Sequence, residues 1–258
     1  MKKEFDKEER YKLYRRVKDL THPTISKKNI SEYKIVLEED LFPVRVFYPN
    51  KVSNLDEVVI DIPGDGRITN CLSKYTDIYS ELAISIDKLI IAIDYFEEEY
   101  NEKKIIKTAK YIYEELSKLN KKIHLFGDSN GGTLAIKASE ELSGIEKLVL
   151  LYPLTSGDYT KKSKYESIIR NFDIHNEVMD NISAYSNKYL QSALPAKETK
   201  KNMLILVGSL DPVLDENAEY AKNCNGNIHI LEFASHGFMN TTDISIKKDY
   251  MDKIKEFL

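Results

Sequence analysis

The sequence predicts an α/β fold, a mostly parallel central sheet with helices on both faces, and three observations carry that prediction. Short β-rich runs alternate with longer stretches of helical periodicity. Six of the eight runs are almost continuously apolar, as strands buried on both faces are. The chain has 258 residues, 42% of them apolar and 31% charged, which is the balance of a soluble globular protein and a length compatible with one α/β domain.

The elements follow in order. MKKEFDKEERYKLYRRVKDL reads as an amphipathic helix within an N-terminal extension over residues 1–30. EYKIVLE and FPVRVFYP lie close enough together to form a hairpin, and DEVVIDI, KLIIAIDY, KIHLFGD, EKLVLLYP, NMLILVGS and NIHILEF supply the remaining strands. Between them, residues 70–88, 101–119, 132–142 and 216–223 carry apolar side chains at helical spacing, and DISIKKDYMDKIKEFL closes the chain as an amphipathic helix. The interval 156–200 has no obvious strand; SKYESIIRNFD and NEVMDNISAYSNKYLQSAL within it read as two helices inserted as a cap. No internal repeat interrupts this single-domain pattern.

Charge and composition narrow the function. A formal net charge of -4 gives no general attraction to nucleic acid or to an anionic membrane. No apolar run approaches the ~20 residues needed to cross a bilayer, and the N-terminus lacks the apolar core of a secretory signal, so a cytoplasmic location is expected. Cys71 and Cys224 are too few for a disulfide framework or a metal knuckle. Gly64-x-Gly66 follows a strand, but Thr69 stands where a dinucleotide fingerprint needs its third glycine, and no phosphate-loop lysine motif or paired metal-ligand motif is present. No cofactor or metal is therefore expected. The 17 tyrosines read as core and interface residues rather than stacking platforms for bases.

Chemistry concentrates in IHLFGDSNGGTLAIKA. Gly127-Asp128-Ser129-Asn130-Gly131-Gly132 joins an apolar run to a helical one, and Gly-x-Ser-x-Gly in that setting is the pattern of a strand-turn-helix that exposes a serine above the sheet. A serine hydroxyl needs a base, and the base needs a group to orient it. Of five histidines, His124 and His229 fall within expected strands, His22 in the entry segment and His175 in the cap. His236, in ASHGFMN just past a strand, is placed to act as the base. Asp211, in LILVGSLDPVLDE, also follows a strand, with Asp215 a nearby competitor. The chain order Ser129, Asp211, His236 is that of α/β-hydrolases.

These residues and their surroundings, GDSNGG, LLYPLT, DPVLDE and HGF, make the chain from about residue 34 onward resemble the α/β-hydrolase superfamily, in its hormone-sensitive-lipase-like, acetyl-esterase branch. The resemblance implies an α/β-hydrolase fold and a serine hydrolase of small carboxylic esters, with Ser129 as nucleophile, His236 as base and Asp211 as its orienter. It implies an oxyanion site from the amides of Gly64, Asp65 and Asn130. Two departures stand out: Pro63-Gly64-Asp65-Gly66 replaces the family's His-Gly-Gly-Gly, and only Asp94-Tyr95 survives of its Asp-Tyr-Arg-Leu-Ala-Pro-Glu. Asp65 brings a carboxylate toward a site meant for negative charge, unless it turns away or meets a cation such as Arg67. The same residues leave two alternatives open: a hydrolase fold kept as a binding module, and cleavage of peptides or lactones.

Overall fold

The computed structural model describes residues 32–35, 40–49, 55–64, 76–95, 101–156 and 202–258. The expected N-terminal helix, the cap beyond its first residue, and Asp65, Arg67, Thr69, Cys71, His22 and His175 lie outside them.

Among the described residues, eight strands form one sheet: β1 (Glu32–Ile35), β2 (Val44–Phe47), β3 (Glu57–Ile62), β4 (Leu89–Ile93), β5 (Lys122–Asp128), β6 (Ile145–Leu151), β7 (Asn202–Gly208) and β8 (Asn227–Leu231), ordered β1-β2-β4-β3-β5-β6-β7-β8. The expected hairpin is present, with β1 antiparallel to β2, and β2 runs antiparallel to β4. Every other neighbouring pair is parallel. The C-terminal ends of the parallel strands therefore share one edge of the sheet, and the turns that leave them meet there.

Five helices accompany the sheet among the described residues: α1 (Thr76–Ile86), α2 (Glu102–Lys118), α3 (Ser129–Glu141), α4 (Leu214–Asn223) and α5 (Ile244–Phe257). Alternation along each strand divides the core into two layers. Val59, Phe126, Val149 and Leu206 pack with Tyr79 and Leu82 of α1 and with Tyr250 and Ile254 of α5. Their neighbours Ile60, Leu125, Leu148 and Ile205 pack on the other face with Ile105 and Ala109 of α2, Leu134 and Ala135 of α3 and Tyr220 of α4. Each of these buried aliphatic side chains contributes roughly 1.5–3 kcal/mol, and both faces must be covered to collect it.

Two helix starts, those of α2 and α5, carry side-chain caps. The Asn101 side chain accepts from the Lys104 amide at 3.0 Å, and Asp243 accepts from the amides of Ser245 and Ile246 at 2.8 and 3.2 Å. Three expectations are corrected. NIHILEF is not buried on both faces: β8 is the last strand of the sheet, and only Leu231 in it is buried. α3 starts three residues before the expected Gly132, since its glycines serve close packing rather than helix breaking. α4 starts at Leu214, two residues before the expected 216.

Candidate active site

β5 ends at Asp128 and α3 begins at Ser129, so the chain reverses with no intervening loop. Ser129 has φ +50°, a left-handed conformation that costs an L-residue roughly 1–2 kcal/mol. The reversal also requires the helix to sit against neighbouring backbone. A Cβ on Gly131 would lie 1.9 Å from the Ile62 carbonyl oxygen, and one on Gly127 would lie 2.5 Å from the Gly131 carbonyl oxygen. Glycine at these positions is a packing requirement that outweighs its poor helix propensity.

The turns after β5, β7 and β8 bring three expected residues together. Ser129 Oγ lies 3.1 Å from His236 Nε2. His236 Nδ1 lies 3.1 Å from both Asp211 Oδ1 and Asp211 Oδ2. The Asp211 side chain is 0% exposed and that of His236 11%, so the line is shielded from water except near the serine. Asp211 is fixed in turn: its Oδ1 accepts from the Val213 amide at 3.0 Å, and its own amide donates to the Gly208 carbonyl at 3.1 Å. A carboxylate at Nδ1 selects the tautomer that carries its hydrogen there, which leaves the Nε2 lone pair facing the serine hydroxyl. An imidazole in that state is able to accept a proton from a hydroxyl at this distance. Asp215 lies in the first turn of α4, and the acid at the imidazole is Asp211.

The expected oxyanion residues divide. Asn130 is in the first turn of α3, where backbone amides lack intrahelical partners. Gly64 differs from expectation, because its amide donates to Asp128 Oδ1 at 2.7 Å and its single hydrogen is therefore committed within the protein. The Gly64 backbone packs so tightly on Asp128 that an added Cβ would lie 2.1 Å from the Asp128 carbonyl oxygen. The turn is held from below as well, since the Tyr95 hydroxyl donates to the Pro63 carbonyl. Asp94 pairs with Arg45 at 3.0 Å. The surviving Asp-Tyr pair thus supports the turn and the sheet.

Several contributors escaped the sequence reading. Glu216 accepts from the Thr155 and Ser156 amides at 2.9 and 3.3 Å, and Asn217 Nδ2 donates to the Pro153 carbonyl at 2.7 Å, so α4 holds the turn that leaves β6. Thr133 Oγ1 donates to the Leu154 carbonyl at 2.7 Å from α3. Asp61, penultimate in β3, is fully buried, with the Tyr79 phenol as its polar neighbour. Burial, then the Asp128 charge, push the Asp61 carboxyl well above the ordinary carboxylate range. The signal available in the sequence was a lone acid inside the apolar run VVIDI.

The remaining described histidines pair with carboxylates away from this edge, His124 with Glu57 and His229 with Asp249, each at 3.3 Å. Burial lowers the His124 pKa against the pull of Glu57. Among the described residues no group of three or more His, Cys, Asp or Glu side chains is placed to hold a metal ion, and no helix is long and apolar enough to cross a membrane.

Similarity to known proteins agrees with this architecture. The Francisella virulence factor BioJ superposes with a TM-score of 0.80 at 21% identity, covering 98% of this chain and 92% of its own. EstE1, a thermophilic carboxylesterase cloned from a metagenomic library, superposes with a TM-score of 0.73 at 19% identity, covering 98% of both chains. An esterase of the bacterial hormone-sensitive lipase family gives 0.78 at 18% identity, covering 98% of this chain and 91% of its own. These identities establish likeness of fold. No curated protein matches the sequence. A family model for the alpha/beta hydrolase fold matches residues 69–239, the stretch that contains the serine, the acid and the base, and the chain belongs to that family.

Proposed function

We propose that the protein is a serine hydrolase of small carboxylic esters, with short acyl groups such as acetyl as its preferred acyl part. The observation that carries this reading is the continuous line Ser129 Oγ, His236 Nε2, His236 Nδ1 and Asp211 at 3.1 Å per step. Ser129 attacks the ester carbonyl while His236 takes its proton; the imidazolium then protonates the leaving alcohol. Water repeats the sequence on the acyl-enzyme and releases the acid. Asp211 holds the tautomer and offsets the charge that forms on His236. The tetrahedral oxyanion is received by the Asn130 amide at the positive end of α3; the resemblance adds the amide of Asp65, which lies outside the described residues. The esterase names of the structural relatives agree with this assignment.

The direct test is hydrolysis of p-nitrophenyl acetate by the wild type and by Ser129→Ala. The reading expects the variant to retain almost none of the activity; equal rates would remove it. Matched acetyl, butyryl and longer esters, with the corresponding amides and lactones, then define the substrate class.

A second reading draws on the commitment of the Gly64 amide to Asp128. Loss of one oxyanion donor costs about 3–4 kcal/mol, which would leave a hydrolase fold serving as a binding module. That reading expects a folded protein in which Ser129 fails to react with a fluorophosphonate.

A further inference from the structure

Tyr152 is the first residue past β6, and its φ of +38° lies in the left-handed region that disfavours a bulky side chain. The segment is fastened on both sides. The Tyr152 amide donates to the Leu206 carbonyl at 2.7 Å, and the Leu154 amide donates to the Ser129 carbonyl at 3.4 Å. The residue is 1% exposed. Its ring centroid lies 4.7 Å from that of His236, with the planes inclined at 58°. It also lies 4.7 Å from Phe238, edge to face at 85°, and Phe238 lies 5.6 Å from Tyr250 of α5. An aromatic chain therefore runs from the last helix to the imidazole.

The hydrogen bonds at His236 hold its two nitrogens only within the angular latitude such bonds tolerate, and the terminal torsion of histidine is intrinsically broad. A flat ring packed against the imidazole narrows that latitude. Backbone strain retained beside a reacting group is also a pointer to function. We propose, resting on the assignment of His236 as the base for Ser129, that Tyr152 is a positioning residue whose ring sets the plane of the imidazole. Nε2 then stays aimed at Ser129 while Nδ1 faces both Asp211 oxygens. The ring performs this role, and the hydroxyl is dispensable to it.

The experiment compares the wild type with Tyr152→Phe and Tyr152→Leu, using kcat and KM for p-nitrophenyl acetate and the low-field proton resonance of His236 Nδ1. Phe should keep kcat within about twofold, whereas Leu should lower it roughly tenfold or more with little change in KM, because displaced catalytic geometry acts on the chemical step. The low-field resonance should stay sharp in Phe and broaden in Leu. Leu with wild-type kcat, or with lowered kcat and an unchanged resonance, would overturn the proposal. Tyr152→Met is the replacement if Leu fails to fold. In the wild type itself, nuclear Overhauser contacts between the Tyr152 and His236 rings are required, and their absence would overturn it without any variant. The resonance does not depend on turnover. A wild type inert toward esters, with a resonance that responds to Tyr152, would sink the esterase reading and leave the positioning role standing. Ser129-dependent turnover with an indifferent resonance would do the reverse.

Discussion

The Gly64 amide donates to Asp128 Oδ1 at 2.7 Å, which ties the turn after β3 to the residue immediately before Ser129. One side chain therefore couples two strands whose ends frame the candidate site. Asp128→Ala leaves a buried amide without an acceptor, a loss of about 1–3 kcal/mol. Asp128→Asn keeps a carbonyl oxygen there and should lose less. Denaturant unfolding, together with kcat for a short-chain ester, checks both; an Ala variant equal to the wild type in both respects contradicts the coupling.

Gly131→Ala tests the close approach between α3 and β3. Its Cβ would meet the Ile62 carbonyl oxygen at 1.9 Å, and the adjoining backbone of Pro63 and Gly64, at 2.6 and 2.7 Å, prevents an easy escape. The expected outcome is a loss of soluble folded protein, or a destabilisation of at least about 3 kcal/mol, the upper range for overpacked sites. A well-folded variant with unchanged melting temperature would show that the helix can retreat.

Asp61 makes stability depend on pH. Its carboxyl is pushed well above the usual range, first by burial and then by the Asp128 charge. In the unfolded chain it ionises near the ordinary aspartate value of 3.8, whereas the folded protein keeps the proton. The folded state thus binds more protons above that pH, and stability falls as pH rises toward the folded pKa. Asp61→Asn removes this penalty. Its melting-temperature advantage over the wild type should grow from about pH 4 upward and level off where folded Asp61 ionises. An advantage independent of pH would contradict the assignment.

Glu57 has the opposite sign. Its hydrogen bond with Lys88, aided by His124 and opposed by burial, holds its pKa down to about 2. Its stabilisation is present above the unfolded value and is lost as pH falls through about 2. Glu57→Gln should therefore be less stable than the wild type at neutral pH, with the difference closing between the ordinary glutamate value of 4.5 and about 2. Acid-unfolding curves of the two proteins provide the comparison.

Much of this architecture was legible because its signals are local. The apolar runs that precede Ser129 and Asp211 register as buried parallel strands, and Gly-x-Ser-x-Gly marks a reversal within a few residues. Features that depend on distant neighbours were not. NIHILEF has a buried strand's composition, yet its exposure follows from being last in the sheet. The sequence places an amide at Gly64, but its capture by a side chain 64 positions away depends on how β3 and β5 register. Tyr152 lies within LLYPLT, but its relation to His236 arises only when the turns after β6 and β8 converge.

The central claim is that Ser129, His236 and Asp211 act as one unit, and the most direct measurement is a mutant cycle on kcat for p-nitrophenyl acetate with Ser129→Ala, His236→Ala and the double variant. Groups that act together lose nearly everything at the first removal, on the order of 10⁴-fold or more. The account predicts a double variant no slower than the slower single variant. Single losses that multiply in the double variant would contradict it.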